Sequence, residues 1–178
     1  MISIDTHIPS GNILYDHIGN DGTVHLNLNK EFNLFTHWFY FKVLVDKITR
    51  KRLTFSIDNA SESSFANGWQ NYAPFESLDG INWKRINQGN LKGSSFSFNV
   101  DEYDDEFFLS WYLPYTIDKY QSWLDQISNS NLLTVSASND SPDYIIAGDK
   151  SKPAIVIVAR QHPGESMASF VTEGFVHS

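Results

Sequence analysis

Three short stretches of this sequence alternate apolar and polar side chains with a period of two. Phe39, Phe41, Val43 and Val45 alternate with Tyr40, Lys42 and Leu44. Leu53, Phe55 and Ile57 alternate with Thr54, Ser56 and Asp58, and Phe96, Phe98 and Val100 with Ser97 and Asn99. Successive side chains of a strand point to opposite faces, so this spacing buries one face of a sheet and wets the other. Turn-forming sequences separate the stretches: Asn20-Asp21-Gly22, Asn67-Gly68, Asp79-Gly80, Gly89-Asn90 and Lys92-Gly93. Short strands at this spacing, from about residue 12 to 113, predict an antiparallel β-sandwich of roughly seven to nine strands. Aromatic residues make up 15% of the chain, which supplies the large rings such a core needs.

The pattern changes after Pro114-Tyr115-Thr116. Ile117, Tyr120, Leu124 and Ile127 follow helical spacing, with Thr116 as the N-cap and Asp118 in the first turn, where the helix dipole favours a negative charge. A helix is expected at about 116–128, then strands near 132–137 and at Tyr144-Ile145-Ile146. The run Ala154-Ile155-Val156-Ile157-Val158-Ala159 does not alternate and reads as a strand buried on both faces, the kind found inside an α/β sheet. Met167, Phe170, Val171, Gly174 and Phe175 share one face of a final helix. The chain is therefore mainly β. A sandwich domain over 1–115 precedes the opening strands and helix of an α/β domain over 116–178, and that second domain is expected to be incomplete.

The net charge is −8 at pH 7, which argues against nucleic acid because no basic stripe is present to neutralise phosphates. No apolar run reaches the ~18 residues of a membrane span. The N-terminus lacks the features of a signal peptide, so a cytoplasmic location is expected. Cysteine is absent, and any transition metal must be held by His and carboxylates.

His162 and Glu165 form H-x-x-E in the stretch Arg160-Gln161-His162-Pro163-Gly164-Glu165. In a chain with six histidines the spacing alone is weak evidence. Its setting adds weight: an expected strand before it, a helix after it, and Pro163-Gly164 between the two side chains to tighten the turn. Catalytic zinc takes about three protein ligands, often two His and one Glu, and keeps a fourth position for water whose pKa it lowers. His162 and Glu165 would supply two of the three.

The stretch Ala159 to Ser166, with Ser169-Phe170 and Glu173-Gly174 downstream, resembles the zinc motif of the cytosolic-carboxypeptidase branch of the zinc metallocarboxypeptidases. Trp38-Phe39-Tyr40-Phe41, Phe55-Ser56-Ile57-Asp58-Asn59 and Pro114-Tyr115-Thr116 are similar to recurring features of that branch's amino-terminal β-sandwich. The resemblance implies that His162 and Glu165 bind Zn2+ and that the substrate is the C-terminus of a peptide or protein. It also implies a second His ligand, a catalytic Glu and a carboxylate-binding Arg, all beyond Ser178. This chain alone is expected to be inactive and to bind zinc weakly if at all. A zinc amidohydrolase of acylated amino acids, or a non-catalytic β-sandwich binding module, are the alternatives.

Arg160 is a candidate for supporting the two ligands without touching metal, and a salt bridge is the equal alternative. His7, His17, His25, His37 and His177 sit at unrelated spacings and are expected to be surface or hydrogen-bonded residues. Trp69, Tyr72, Trp83 and Trp111 are expected in packing rather than on a sugar-stacking surface. The acidic run Asp101 to Glu106 lacks calcium-loop spacing and is expected to be a solvated turn.

Overall fold

A computed structural model describes residues 2–30, 35–46, 52–101, 103–128, 133–138, 141–149 and 151–177. The chain divides into two compact units, Met1–Pro114 and Tyr115–Ser178.

The first unit holds two five-stranded sheets. One has the order β1-β4-β10-β6-β7, from Ile2–Asp5, Tyr40–Val45, Glu106–Ser110, Phe75–Ser77 and Lys84–Arg85. The other has the order β2-β3-β5-β9-β8, from Leu14–Ile18, Val24–Asn27, Leu53–Ile57, Ser95–Val100 and Asn90–Lys92. The three alternating stretches form β4, β5 and β9. Ten strands among the described residues exceed the seven to nine expected. β1 lies before the region read as β, and β7 has two residues, too few to show a period.

The second sheet is mixed, because β3 and β5 pair in parallel with His25 opposite Ser56. β4 lies between them in sequence but belongs to the other sheet. Crossing to the opposite sheet and back reverses the chain twice and returns it in its original direction. The β2–β3 hairpin turns at Gly22, whose φ of 86° suits a residue without a Cβ.

Rings from both sheets interdigitate between them. Phe55 of β5 lies 5.4 Å from Phe98 of β9 in its own sheet, and 6.1 Å from Phe41 of β4 and 6.4 Å from Phe107 of β10 in the other. Phe39 contacts Phe41, Trp69, Phe98 and Trp111 at centroid distances of 5.8–6.4 Å. The Trp69 indole donates to Ser63 Oγ at 2.8 Å, and the Tyr72 hydroxyl donates to the Trp111 carbonyl. Trp69 and Trp111 are fully buried, and Trp83 packs against Tyr40 and Phe108. These aromatics are packing residues.

In the second unit, α1 (Ile117–Ser128) begins where Thr116 Oγ1 accepts the Lys119 amide at 3.3 Å. Leu124 and Ile127 are buried with Trp123, while Ile117 is exposed. β11 (Leu133–Ser138) and β12 (Ser141–Ala147) pair as an antiparallel hairpin. α2 (Ser166–His177) closes the unit, and Val176 packs against the α1 cluster.

Two expectations fail here. Residues 154–159 form neither strand nor helix, and Ile155 and Val156 are more than 80% exposed. A strand buried on both faces needs a neighbouring strand for its backbone and a layer over each face. Among the described residues no strand pairs with this run. The predicted apolar face of α2 is likewise open, with Met167, Val171 and Phe175 exposed. The helix docks by the edge that carries Phe170, Glu173, Val176 and His177.

Phe39→Ala removes a ring from the centre of the aromatic layer and should cost about 3–5 kcal/mol. Equilibrium urea unfolding of the wild-type and variant chains measures it, and a loss under 1 kcal/mol contradicts the packing described.

Candidate metal centre

His162 and Glu165 lie in the second unit, on the loop that enters α2. The Glu165 amide donates to the His162 carbonyl at 3.1 Å, which closes a four-residue turn centred on Pro163 and Gly164. Proline's fixed φ suits the first central position of such a turn. The Ala168 amide then donates to the Glu165 carbonyl at 3.0 Å and joins the turn to the helix. The left-handed residue of this loop is Arg160, with φ 52°, and not Gly164.

The turn folds the two side chains onto each other. His162 Nδ1 is 3.0 Å from Glu165 Oε1, and the His162 amide donates to Glu165 Oε2 at 3.2 Å. Hydrogen bonds from His162, the ring bond first, hold the Glu165 carboxyl below its ordinary range. It is therefore a carboxylate at neutral pH, the form that binds metal.

Two donors of one tetrahedral zinc ion, each about 2.1 Å from it, stand ~3.4 Å apart. The 3.0 Å between Nδ1 and Oε1 is close to that span. Imidazole and carboxylate are also donor types of catalytic zinc. The pair thus fits two positions of a zinc site, with the imidazole proton moved to Nε2 so that Nδ1 presents its lone pair. Among the described residues, no group of three or more His, Asp or Glu side chains is arranged to hold a metal ion.

The remaining histidines have other partners. His7 Nδ1 is 3.6 Å from Asp5, and His17 stacks on His25 at 4.5 Å with its Nδ1 3.2 Å from Asp16. His25 Nδ1 is 2.8 Å from Asp58, which also accepts the Ser56 hydroxyl. His37 packs edge-on to Trp111, and the Trp123 indole donates to His177 Nε2 at 3.2 Å. The two ends of the acidic run make separate ion pairs: Asp101 with Arg52, and Glu106 with Lys42 at 2.8 Å, while Asp104 and Asp105 are exposed. Glu102 lies outside the described residues.

Arg160 is joined to the loop itself. Its Nε and Nη2 donate to the Pro163 carbonyl at 3.3 and 3.2 Å, and its Nη1 donates to the Tyr115 carbonyl at 2.7 Å. Tyr115 is buried and meets Phe170 of α2 edge-on at 5.0 Å. Burial, then the neighbouring Glu173 carboxylate, push the Tyr115 hydroxyl up to about 12. Lys119 Nζ lies over both rings and 3.7 Å from Glu173. Sequence reasoning did not bring Tyr115, Lys119, Phe170 and Glu173 together. The signals were the position of Tyr115 immediately before the helix cap and the place of Phe170 and Glu173 downstream of the H-x-x-E stretch.

Residues 4–112 match the family model described as the cytosolic carboxypeptidase N-terminal domain. Cytosolic carboxypeptidase 6 of Mus musculus is 28% identical over 201 residues, an alignment that covers 89% of this chain and 36% of the relative. A crystal structure of a candidate carboxypeptidase A from Shewanella denitrificans superposes with a TM-score of 0.88 at 26% identity. It covers 98% of this chain and 48% of that one. The metallo-carboxypeptidase of Pseudomonas aeruginosa, solved in complex with (2-guanidinoethylmercapto)succinic acid, shares the fold with a TM-score of 0.83 at 21% identity, again over 98% of this chain and 48% of that one. The chain thus spans about half of each solved relative, and less of the curated one.

Zinc added to the chain should shift the NMR signals of His162 and Glu165 selectively. His162→Ala or Glu165→Ala should remove the response. Binding should weaken as the pH falls from 7 to 5, because protons compete for the ligand atoms. A response that survives both substitutions places the metal elsewhere.

Proposed function

The chain belongs to the cytosolic carboxypeptidase family, and we propose that it is the amino-terminal part of a zinc-dependent metallocarboxypeptidase that removes C-terminal residues from peptides or proteins. The observation that carries this reading is the convergence of His162 Nδ1 and Glu165 Oε1 to 3.0 Å in a tight turn at the start of a helix. Family membership and the metallo-carboxypeptidase fold of the relatives support it. A cytoplasmic location accords with the names of the curated relatives. Among the described residues no helix is long and apolar enough to cross a membrane.

His162 and Glu165 would hold the zinc ion. When bound, zinc supplies Lewis acidity, which polarises a peptide carbonyl and acidifies water. The two side chains offer one neutral donor and one anion, so they neutralise only part of the ion's charge and leave it electrophilic. The turn presents them half exposed, on a side open to solvent. A further His ligand, a general-base carboxylate and the group that recognises a substrate carboxylate belong to the remainder of the enzyme.

The test is a polypeptide that carries these residues at the full length of the relatives. Loaded with zinc, it should release single C-terminal amino acids from peptides and lose that activity to a chelator. Glu165→Ala should lower kcat/KM by 100-fold or more. Release of acyl groups from N-acyl amino acids, with no cleavage of peptides, identifies an amidohydrolase instead.

A further inference from the structure

The loop that carries the metal pair is anchored at both ends on one residue. At its front, Arg160 Nη1 donates to the Tyr115 carbonyl at 2.7 Å. At its back, Phe170 on the first turns of α2 meets the Tyr115 ring at 5.0 Å. Between these anchors the same guanidinium spans the turn and donates from Nε and Nη2 to the Pro163 carbonyl. Pro163 directly follows His162, and its carbonyl lies inside the turn that brings His162 to Glu165.

The backbone of Arg160 supports a specific role. A non-glycine residue at φ 52° is strained and persists only where its surroundings over-determine it. Three donor contacts from one planar fork supply that over-determination. Lysine cannot replace them, because its ammonium is a single point on a flexible stem and does not span two carbonyls in fixed geometry. The Tyr115 carbonyl is part of the irregular segment before α1, which Thr116 caps and the Tyr115 side chain buries. It is therefore a firm point of attachment, not a mobile one.

We propose that Arg160 is the positioning residue of the metal loop: by bonding the Pro163 and Tyr115 carbonyls together, it fixes the turn so that His162 and Glu165 stay converged and ready for the ion. The inference rests on the reading of those two residues as zinc ligands. Arg160 touches neither metal nor substrate. It acts by lowering the cost of ordering the pair, which otherwise would be met from the binding of the ion. Outer contacts that orient metal ligands are worth typically 10–100-fold in metal affinity.

The experiment uses this chain and two variants, Arg160→Gly and Arg160→Lys. Glycine accepts the left-handed backbone without strain, so it removes the side chain without adding a clash. Lysine keeps the charge and removes the fork. Two readouts are taken by NMR: hydrogen exchange of the Glu165 and Ala168 amides, and zinc titration followed at His162. Both variants should speed exchange of the two loop amides by about tenfold or more and weaken zinc binding at least fivefold. Exchange at Phe55 in the sandwich should not change, which separates the effect from general loss of stability. Zinc affinity within twofold of wild type in both variants overturns the proposal, even if exchange rises. So does full rescue by lysine. If the wild-type chain shows no zinc response at His162 and Glu165, the ligand reading fails and the positioning role falls with it. If that response is present and the variants match it, only the role of Arg160 is lost.

Discussion

Interdigitated rings between two five-stranded sheets set the geometry of the first unit. Phe55 is packed from its own sheet by Phe98 and from the facing sheet by Phe41 and Phe107. Each sheet therefore holds the register of the other. A slip of one residue in β5 would turn Phe55 and Ile57 away from the core and point Thr54 and Asp58 into it. The layer also accounts for the parallel β3–β5 pair. The chain must leave one sheet to place β4 opposite it, and return, before the rings of β4 and β5 can meet.

Such a core leaves little of the aromatic content for other tasks. Trp69, Tyr72 and Trp111 are consumed by packing; the Trp69 indole donates to Ser63 and the Tyr72 hydroxyl to the Trp111 carbonyl. The His162–Glu165 pair falls in the second unit. Tyr115 organises that unit with two parts of one residue. Its carbonyl holds Arg160 and its ring holds Phe170, while Lys119 lies over both rings beside Glu173. A small cluster of this kind suffices to set a six-residue loop because the loop is already closed by its own turn.

Much of this was legible residue by residue. The period of two located β4, β5 and β9 because in each the apolar side chains at every second position are buried. Thr116 located the start of α1 because a side-chain acceptor was needed for the Lys119 amide. The H-x-x-E spacing located the convergence of His162 and Glu165 because Pro163 and Gly164 bend the chain between them. The run 154–159 misled for a physical reason. Its β-branched, unbroken apolar character reports what the residues would do beside a partner strand, and no such strand pairs with it among the described residues. The apolar stripe of α2 misled in the same way, since spacing marks a face without naming what covers it.

The sequence by itself determined the strand periodicity, the change of pattern at Pro114-Tyr115-Thr116, the capped first helix, and the spacing of His162 and Glu165. These depend on neighbours a few residues apart, where backbone geometry alone sets which side chains share a face or a turn. Tertiary structure alone decided that β5 returns beside β3 in parallel, that α2 docks by its Phe170–Glu173–His177 edge, and that Arg160 joins the His162–Glu165 loop to Tyr115. Those contacts join residues up to 54 positions apart. No local propensity encodes them, because each exists only once packing has brought the separate segments together.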